Sequence, residues 1–138
     1  MRPAPFAALV AASFAAHAAL AGTAYVSSEK DDALTLIDTA TLAVKGTIAT
    51  CKRARHLQRL PDGKLMVACT DANAADIIDP ATGKSVRRVP LGDEPEAFDV
   101  SPDGKTVYVS NEDEGEASFI DAASGKVLKK VKVGEEPE

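Results

Sequence analysis

Tryptophan is absent from the chain, aromatic residues make up only 4% of it, and it holds two cysteines and two histidines. Each shortage excludes some chemistry. One histidine, His17, sits in an apolar N-terminal stretch, which leaves His56 alone in the rest of the chain. A Ser-His-Asp hydrolase is disfavoured, because that single histidine has no identifiable nucleophile beside it in sequence. No Cys-x-x-Cys-His occurs, so the signature of covalent haem attachment is missing. Positive charge is also short. Lys and Arg total 16 against 21 Asp and Glu, a net charge of −5, whereas a nucleic-acid partner needs a basic surface. Beyond residue 21 no run is apolar enough to span a bilayer.

What is present begins with "MRPAPFAALVAASFAAHAALA", residues 1–21. One early cation, Arg2, precedes an Ala-rich apolar stretch that ends in the small-residue triplet Ala19-Leu20-Ala21. This is the pattern of a secretory signal peptide cleaved before Gly22. An amphipathic surface helix is the alternative, but the segment has almost no polar face. The expected division is a signal peptide over 1–21 and a mature unit over 22–138, exported to a bacterial periplasm and without a membrane span once cleaved.

"SPDGKTVYVSN" (101–111) contains a Gly-Lys-Thr that suggests a phosphate loop. Such a loop needs a second glycine upstream and a helix downstream. The upstream glycine is missing, and the β-branched, aromatic run after Lys105 has the composition of a strand. "LPDGKLMVACT" (60–70) repeats the pattern with Leu65 in place of the hydroxyl. Both copies therefore read as turns. Pro61 and Pro102 preset φ, Asp62 and Asp103 bond nearby backbone, and Gly63 and Gly104 accept positive φ. The hairpins run roughly from Arg55–Leu60 to Lys64–Cys69, and from Glu96–Ser101 to Thr106–Ser110.

The turns belong to a larger repeat. "AYVSSEKDDALTLIDTATLAVKGTI" (24–48), "MVACTDANAADIIDPATGKSVRRV" (66–89) and "VYVSNEDEGEASFIDAASGKVLKKV" (107–131) superimpose at a spacing of 41–42 residues. Tyr25, Val67 and Tyr108 coincide in that alignment, as do Ile37-Asp38, Ile78-Asp79 and Ile120-Asp121. A period near 40 made only of short strands marks a β-propeller blade. The predicted fold is all-β: a partial propeller of three four-stranded blades, with repeats near 24–64, 65–105 and 106–138, from a ring of about seven blades. The first blade has no strand A of its own, so the expectation is that the chain is truncated. Asp38, Asp79 and Asp121 resemble a row of catalytic carboxylates, but an Asp heading a turn normally caps backbone amides.

The motifs "AYVSSE", "VYVSNE", "IDTAT", "IDPATGK" and "SPDGK" resemble the YVTN family of β-propeller repeats. The stretches "CKRARHLQRLPDGK" and "GDEPEAFDVSPDGKTVYVSNEDEGEASFIDAASGKVLKKVKVGEEPE" are similar to periplasmic propellers associated with pyrroloquinoline-quinone-dependent alcohol catabolism. Quinoprotein dehydrogenases share an Asp-x-x-Thr-Gly-Lys corner followed by a docking Trp. Asp79, Thr82, Gly83 and Lys84 match that corner, as do Asp121, Ser124, Gly125 and Lys126, but Arg87 and Lys129 occupy the Trp positions. The resemblance therefore implies no bound quinone. In propellers similar to nitrite reductase, haem d1 needs an axial His, for which only His56 is available, in a segment that reads as a strand. No cofactor and no metal is expected.

Strand alternation puts the D–A and B–C loops on one acidic face and the A–B and C–D turns on the other. "NEDEGE" (111–116) lacks the ligand spacing of a calcium loop and reads as a solvated rim. Lys52, Arg53 and Arg55 interrupt the acidic face and, with Glu94, Glu96, Glu112, Asp113 and Glu114, outline a candidate partner surface; equally, these cations could simply neutralise adjacent acidic loops. Cys51 and Cys69 fall at one end of the same blade, where an oxidising compartment favours a disulfide. The alternative is that Cys69 is a small strand residue, standing where Ser110 stands in the next unit. Hairpin counting sets Cys69 opposite His56. The functional expectation is a non-catalytic periplasmic binding or scaffold protein, accessory to quinoprotein-linked alcohol catabolism, with periplasmic protein partners and self-association if truncated. The alternative is a fragment of a propeller enzyme, either a lactonase-like hydrolase or a haem- or quinone-dependent oxidoreductase, with its site in missing blades.

Overall fold

A computed structural model describes residues 22–138; the expected signal peptide at 1–21 lies outside the described residues. Antiparallel strands form three sheets. The first holds β1 (Thr23–Ser28), β2 (Ala33–Asp38) and β3 (Val44–Ala49). The second holds β4 (Ala54–Arg59), β5 (Leu65–Cys69), β6 (Ala74–Asp79) and β7 (Lys84–Pro90). The third holds β8 (Pro95–Val100), β9 (Thr106–Asn111), β10 (Glu116–Asp121) and β11 (Val127–Lys132). Within each sheet the strands are neighbours in chain order, so each sheet is up-and-down; the sheets break before β4 and before β8, so the expected repeats 24–64 and 65–105 each straddle two sheets.

The turn chemistry explains the hairpins. Gly63 N–H donates to Leu60 O at 2.9 Å and Gly104 N–H to Ser101 O at 2.8 Å, with Gly63 and Gly104 at φ of 85° and 71°. Asp62 and Asp103 each accept from the backbone N–H two residues on, at 3.1 Å. Among the described residues the nearest carboxylate to Lys105 Nζ is that of Asp103, 4.0 Å away, and the lysine side chain is 80% exposed. At the C–D corners, Asp38 accepts from the N–H of Ala40 and Thr41, Asp79 from Ala81, and Asp121 from Ser124. These carboxylates cap turns. Their backbone partners hold Asp38 below the ordinary carboxylate range, and the Ser124 hydroxyl with its N–H does the same for Asp121.

The strand register corrects the repeat alignment. Tyr25 pairs with Leu36, Met66 with Ile77 and Tyr108 with Phe119, so Met66 rather than Val67 is the counterpart of the two tyrosines. Likewise Cys69 matches Ser28 and Asn111, not Ser110. The spacing is 41 residues for the first strand of the second and third sheets and 42 from the second strand on. One residue is inserted after the third sheet's turn: Leu60 N–H meets Lys64 O, but Ser101 N–H meets Thr106 O.

Apolar residues are buried between sheets. Leu34, Ile48, Leu65, Val67 and Ile78 fill the layer between the first and second sheets. Met66, Ile77, Val89, Leu91, Phe98, Val107, Val109 and Ile120 fill the next layer. Covered on both faces, β5 is buried along its whole length. Its run of Leu, Met, Val, Ala and Cys follows from that position.

Candidate functional site

The first strands of adjacent sheets converge, with β4 packed against both β1 and β8. Residues of β4 meet residues about 41 positions later in β8. Arg55 Nη1 lies 2.5 Å from Glu96 Oε2, Gln58 Nε2 donates to Asp99 Oδ1 at 3.1 Å, and the rings of His56 and Phe98 meet edge to face at 4.8 Å.

Both inner strands are bulged at the same place. Ala54 pairs with Cys69 and Leu57 with Val67, so Arg55 and His56 together oppose Ala68. Pro95 pairs with Asn111 and Phe98 with Val109, so Glu96 and Ala97 together oppose Ser110. The bulge puts Cys69 opposite Ala54, not His56. Each bulge adds a residue and re-aims its side chains. Around them lies an open cavity of about 350 Å³ lined by Ser27, Ala54, Arg55, His56, Glu96 and Ala97, with the carboxylates Glu29 and Glu138 at its edge. The sequence hides this feature, because neither bulge contains a glycine or proline. Its one trace is Pro95, which borders the second bulge.

The electrostatics of the cavity follow from burial and charge. Burial pushes the His56 imidazole below its ordinary value against a smaller opposing pull from Asp99, so the ring is neutral at pH 7 and can accept a proton. Burial also raises the Glu96 carboxyl, Arg55 opposing and neighbouring Glu112 adding to the shift. The Glu96 side chain is only 4% exposed, so the Arg55 guanidinium is its essential partner.

The predicted surface residues fall into three groups. Lys52 and Arg53 lie in the β3–β4 loop among carboxylates: Lys52 Nζ is 2.5 Å from Asp32. Arg53 reaches Glu29 at 2.7 Å, Asp71 at 3.5 Å and Glu94 at 3.9 Å. Arg53 thereby ties together loops of all three sheets. These pairings raise both cations and lower Glu29 and Asp32. Glu94 meets Asp113, and this like-charge contact raises the Glu94 carboxyl. Glu114 stands apart, 2.5 Å from Lys130 of β11. The geometry of Lys52 and Arg53 is that of cations neutralising adjacent acidic loops. Below the same loop Cys51 and Cys69 are disulfide-bonded, their Cα atoms 5.7 Å apart.

No protein-family model and no curated protein matches the chain. Solved structures do. Hydrazine synthase of Kuenenia stuttgartiensis aligns at 24% identity over 83% of this chain and 34% of its own, with a TM-score of 0.71. The periplasmic gluconolactonase of Pseudomonas aeruginosa aligns at 25% identity over 83% of this chain and 38% of its own, TM-score 0.67. A catalytically inactive histidine-to-alanine variant of virginiamycin B lyase from Staphylococcus aureus, bound to quinupristin, aligns at 14% identity over 81% of this chain and 38% of its own, TM-score 0.64. The chain is a partial β-propeller. Its three blades span little more than a third of the length of these neighbours. The expectation of a non-catalytic protein is overturned by this likeness, since the neighbours are enzymes, the gluconolactonase at 25% identity foremost. Nothing found supports the scaffold role. Composition misled here, because scarce histidine and absent tryptophan limit particular mechanisms without excluding catalysis. Among the described residues no helix is long and apolar enough to cross a membrane.

Proposed function

We propose that these three blades belong to a propeller enzyme of the lactonase-like hydrolase class, with the bulged cavity as part of its active site. The observation that carries this reading is His56 on a bulged inner strand, packed on Phe98 beside a guanidinium that a buried carboxylate holds in place. Opening a lactone requires a base for water and a donor for the carbonyl oxygen. His56 takes a proton as the water oxygen bonds to the carbonyl carbon, and Arg55 stabilises the oxygen that gains charge. Collapse of the adduct breaks the ring C–O bond, and the proton on His56 passes to the departing alkoxide. Arg55 keeps donors for this role because its contact with Glu96 runs through one terminal nitrogen. The likeness to a gluconolactonase supports a sugar lactone as the substrate class.

The same proposal includes an export signal at 1–21, a periplasmic location and membership of the YVTN repeat class. "YVSS" and "YVSN" occupy equivalent places in β1 and β9. The test is pH-stat hydrolysis of glucono-δ-lactone by the protein carrying this chain, corrected for the spontaneous rate. His56→Ala is expected to lower kcat/KM by about a hundredfold with an unchanged unfolding midpoint. A wild-type rate equal to that of buffer, or a fully active His56→Ala, overturns the reading.

A further inference from the structure

Three potential metal-ligating atoms cluster outside the lining of the cavity, at the foot of the bulge. The sulfurs of Cys51 and Cys69 and a carboxylate oxygen of Asp76 all lie within 4.8 Å of one another, and all three residues are buried. We propose that, when the Cys51–Cys69 bridge is reduced, these residues form a buried site for a divalent cation of the zinc type.

Comparison of the blades supports this. At the place of Asp76 the first blade has Thr35 and the third has Ser118, each paired as Asp76 is with a valine of the preceding strand. At the place of Cys69 they have Ser28 and Asn111. Two sulfurs and a carboxylate are thus concentrated in one blade, where the fold otherwise uses neutral side chains. Burying a carboxylate costs several kcal/mol unless it is compensated, and the propeller architecture does not require one here. Asp76 is 2% exposed, and its contacts are Arg88 Nε at 2.9 Å, Arg88 Nη2 at 3.4 Å and Ser85 Oγ at 3.2 Å. The Arg88 side chain is itself more than half exposed.

Geometry and charge both suit a cation. Two thiolates on one tetrahedral zinc, each about 2.3 Å from the metal, stand roughly 3.8 Å apart. Cα atoms separated by 5.7 Å reach that spacing by side-chain rotation. An external dithiol supplies two electrons and two protons, becoming a disulfide as the bridge becomes two thiols. Cation binding then releases the two thiol protons to water. Two thiolates and a carboxylate against Arg88 and a divalent ion sum to zero charge. Water completes the coordination. Since Cys51 opens the loop carrying Lys52 and Arg53, and Cys69 pairs with Ala54 at the foot of the bulge, either linkage holds that segment in place.

The probe is Co²⁺, titrated into the full chain after reduction by dithiothreitol and anaerobic removal of the reductant. Reduced protein is expected to bind one equivalent with thiolate-to-cobalt charge-transfer absorption, and the disulfide form to show none. Asp76→Asn is expected to weaken binding by about tenfold or more while keeping that absorption. Circular dichroism runs in parallel: if reduction unfolds the chain, Co²⁺ is expected to restore the strand spectrum. The proposal is overturned by folded, reduced protein without charge-transfer absorption, by unfolded protein that Co²⁺ does not restore, or by an Asp76→Asn that binds as tightly as wild type.

Discussion

Met66 and Tyr108 occupy the same place in the second and third blades, yet Met66 is 2% exposed and Tyr108 39%. Met66 and its partner Ile77 face the third blade and join the apolar layer there. Tyr108 and its partner Phe119 meet edge to face at 5.2 Å on the open side of the third blade. Their first-blade counterparts, Tyr25 and Leu36, pack against the second blade. One face of every blade is therefore built to meet the next, and burial is decided by whether a neighbour is there. The middle blade, covered on both sides, also carries the disulfide and the buried Asp76–Arg88 pair.

The largest expected effect tests that difference directly. Met66→Ala should lower the unfolding free energy by about 4 kcal/mol, through lost burial and the cavity left in a packed layer. In the isolated 22–138 unit, Tyr108→Ala should cost about 1 kcal/mol, because in that unit much of its surface meets water. Urea titrations of both variants give the comparison, and equal shifts in midpoint would break it. Next in size is the bridge. Cys51→Ser releases a loop closed over 18 residues, for which loop-closure entropy gives about 3 kcal/mol. Reductant should shift the wild-type midpoint by a similar amount and leave Cys51→Ser unmoved.

Much of this architecture was legible in the residues because repetition carried it. Pro-Asp-Gly-Lys occurs twice, Ile-Asp three times, and Thr-Gly-Lys or Ser-Gly-Lys follows two of the aspartates. Each fixes a turn by local chemistry, and the three-sheet division follows. The bulges were not legible. An extra residue opposite Ala68 depends on how β4 and β5 pair, and Arg55 and His56 bear no backbone signal of their own. The inserted residue after Lys105 likewise slid Val67 into the place that belongs to Met66. The site was missed for a related reason: Arg55 and His56 read as isolated strand residues until β8 brings Glu96 to the first and Phe98 to the second.

A pair of charges separates the blades by pH, with opposite signs. Arg55→Ala strands the buried Glu96 carboxylate and should cost about 2 kcal/mol at pH 7. The Glu96 carboxyl is raised in the folded state. Its contribution is therefore fully present below the ordinary carboxylate range and is lost as pH rises through the folded value. The deficit of Arg55→Ala should shrink on acidification towards pH 4, where Glu96 is protonated. Asp121 is lowered in the folded state, chiefly by Ser124. Its stabilisation is present above the ordinary range and disappears as pH falls through the lowered value. Asp121→Ala should thus be the more harmful at neutral pH and indistinguishable from wild type in strong acid. Thermal melts at pH 3, 5 and 7 check both signs.

The smallest expected effect concerns Lys105, the residue that most resembles a nucleotide ligand in the sequence. Its turn is closed by Gly104 N–H on Ser101 O, by Lys105 N–H on Asp103 and by Ser101 Oγ accepting from the N–H groups of Lys105 and Thr106. The lysine contributes backbone to this network, while its side chain lies in solvent 4.0 Å from Asp103. An exposed pair at that distance is worth little, and Lys105→Ala should stay within about 0.5 kcal/mol of wild type. Anion binding would need convergent backbone donors. Here the neighbouring amides already donate to Asp103 and Ser101, and Asp103 adds a negative charge. Isothermal titration with ATP and with inorganic phosphate should give no binding heat in either protein. Saturable heat in the wild type that Lys105→Ala abolishes would restore the phosphate-loop reading and set the third blade's turn apart from its counterpart at Lys64, whose Nζ lies 2.6 Å from Asp62.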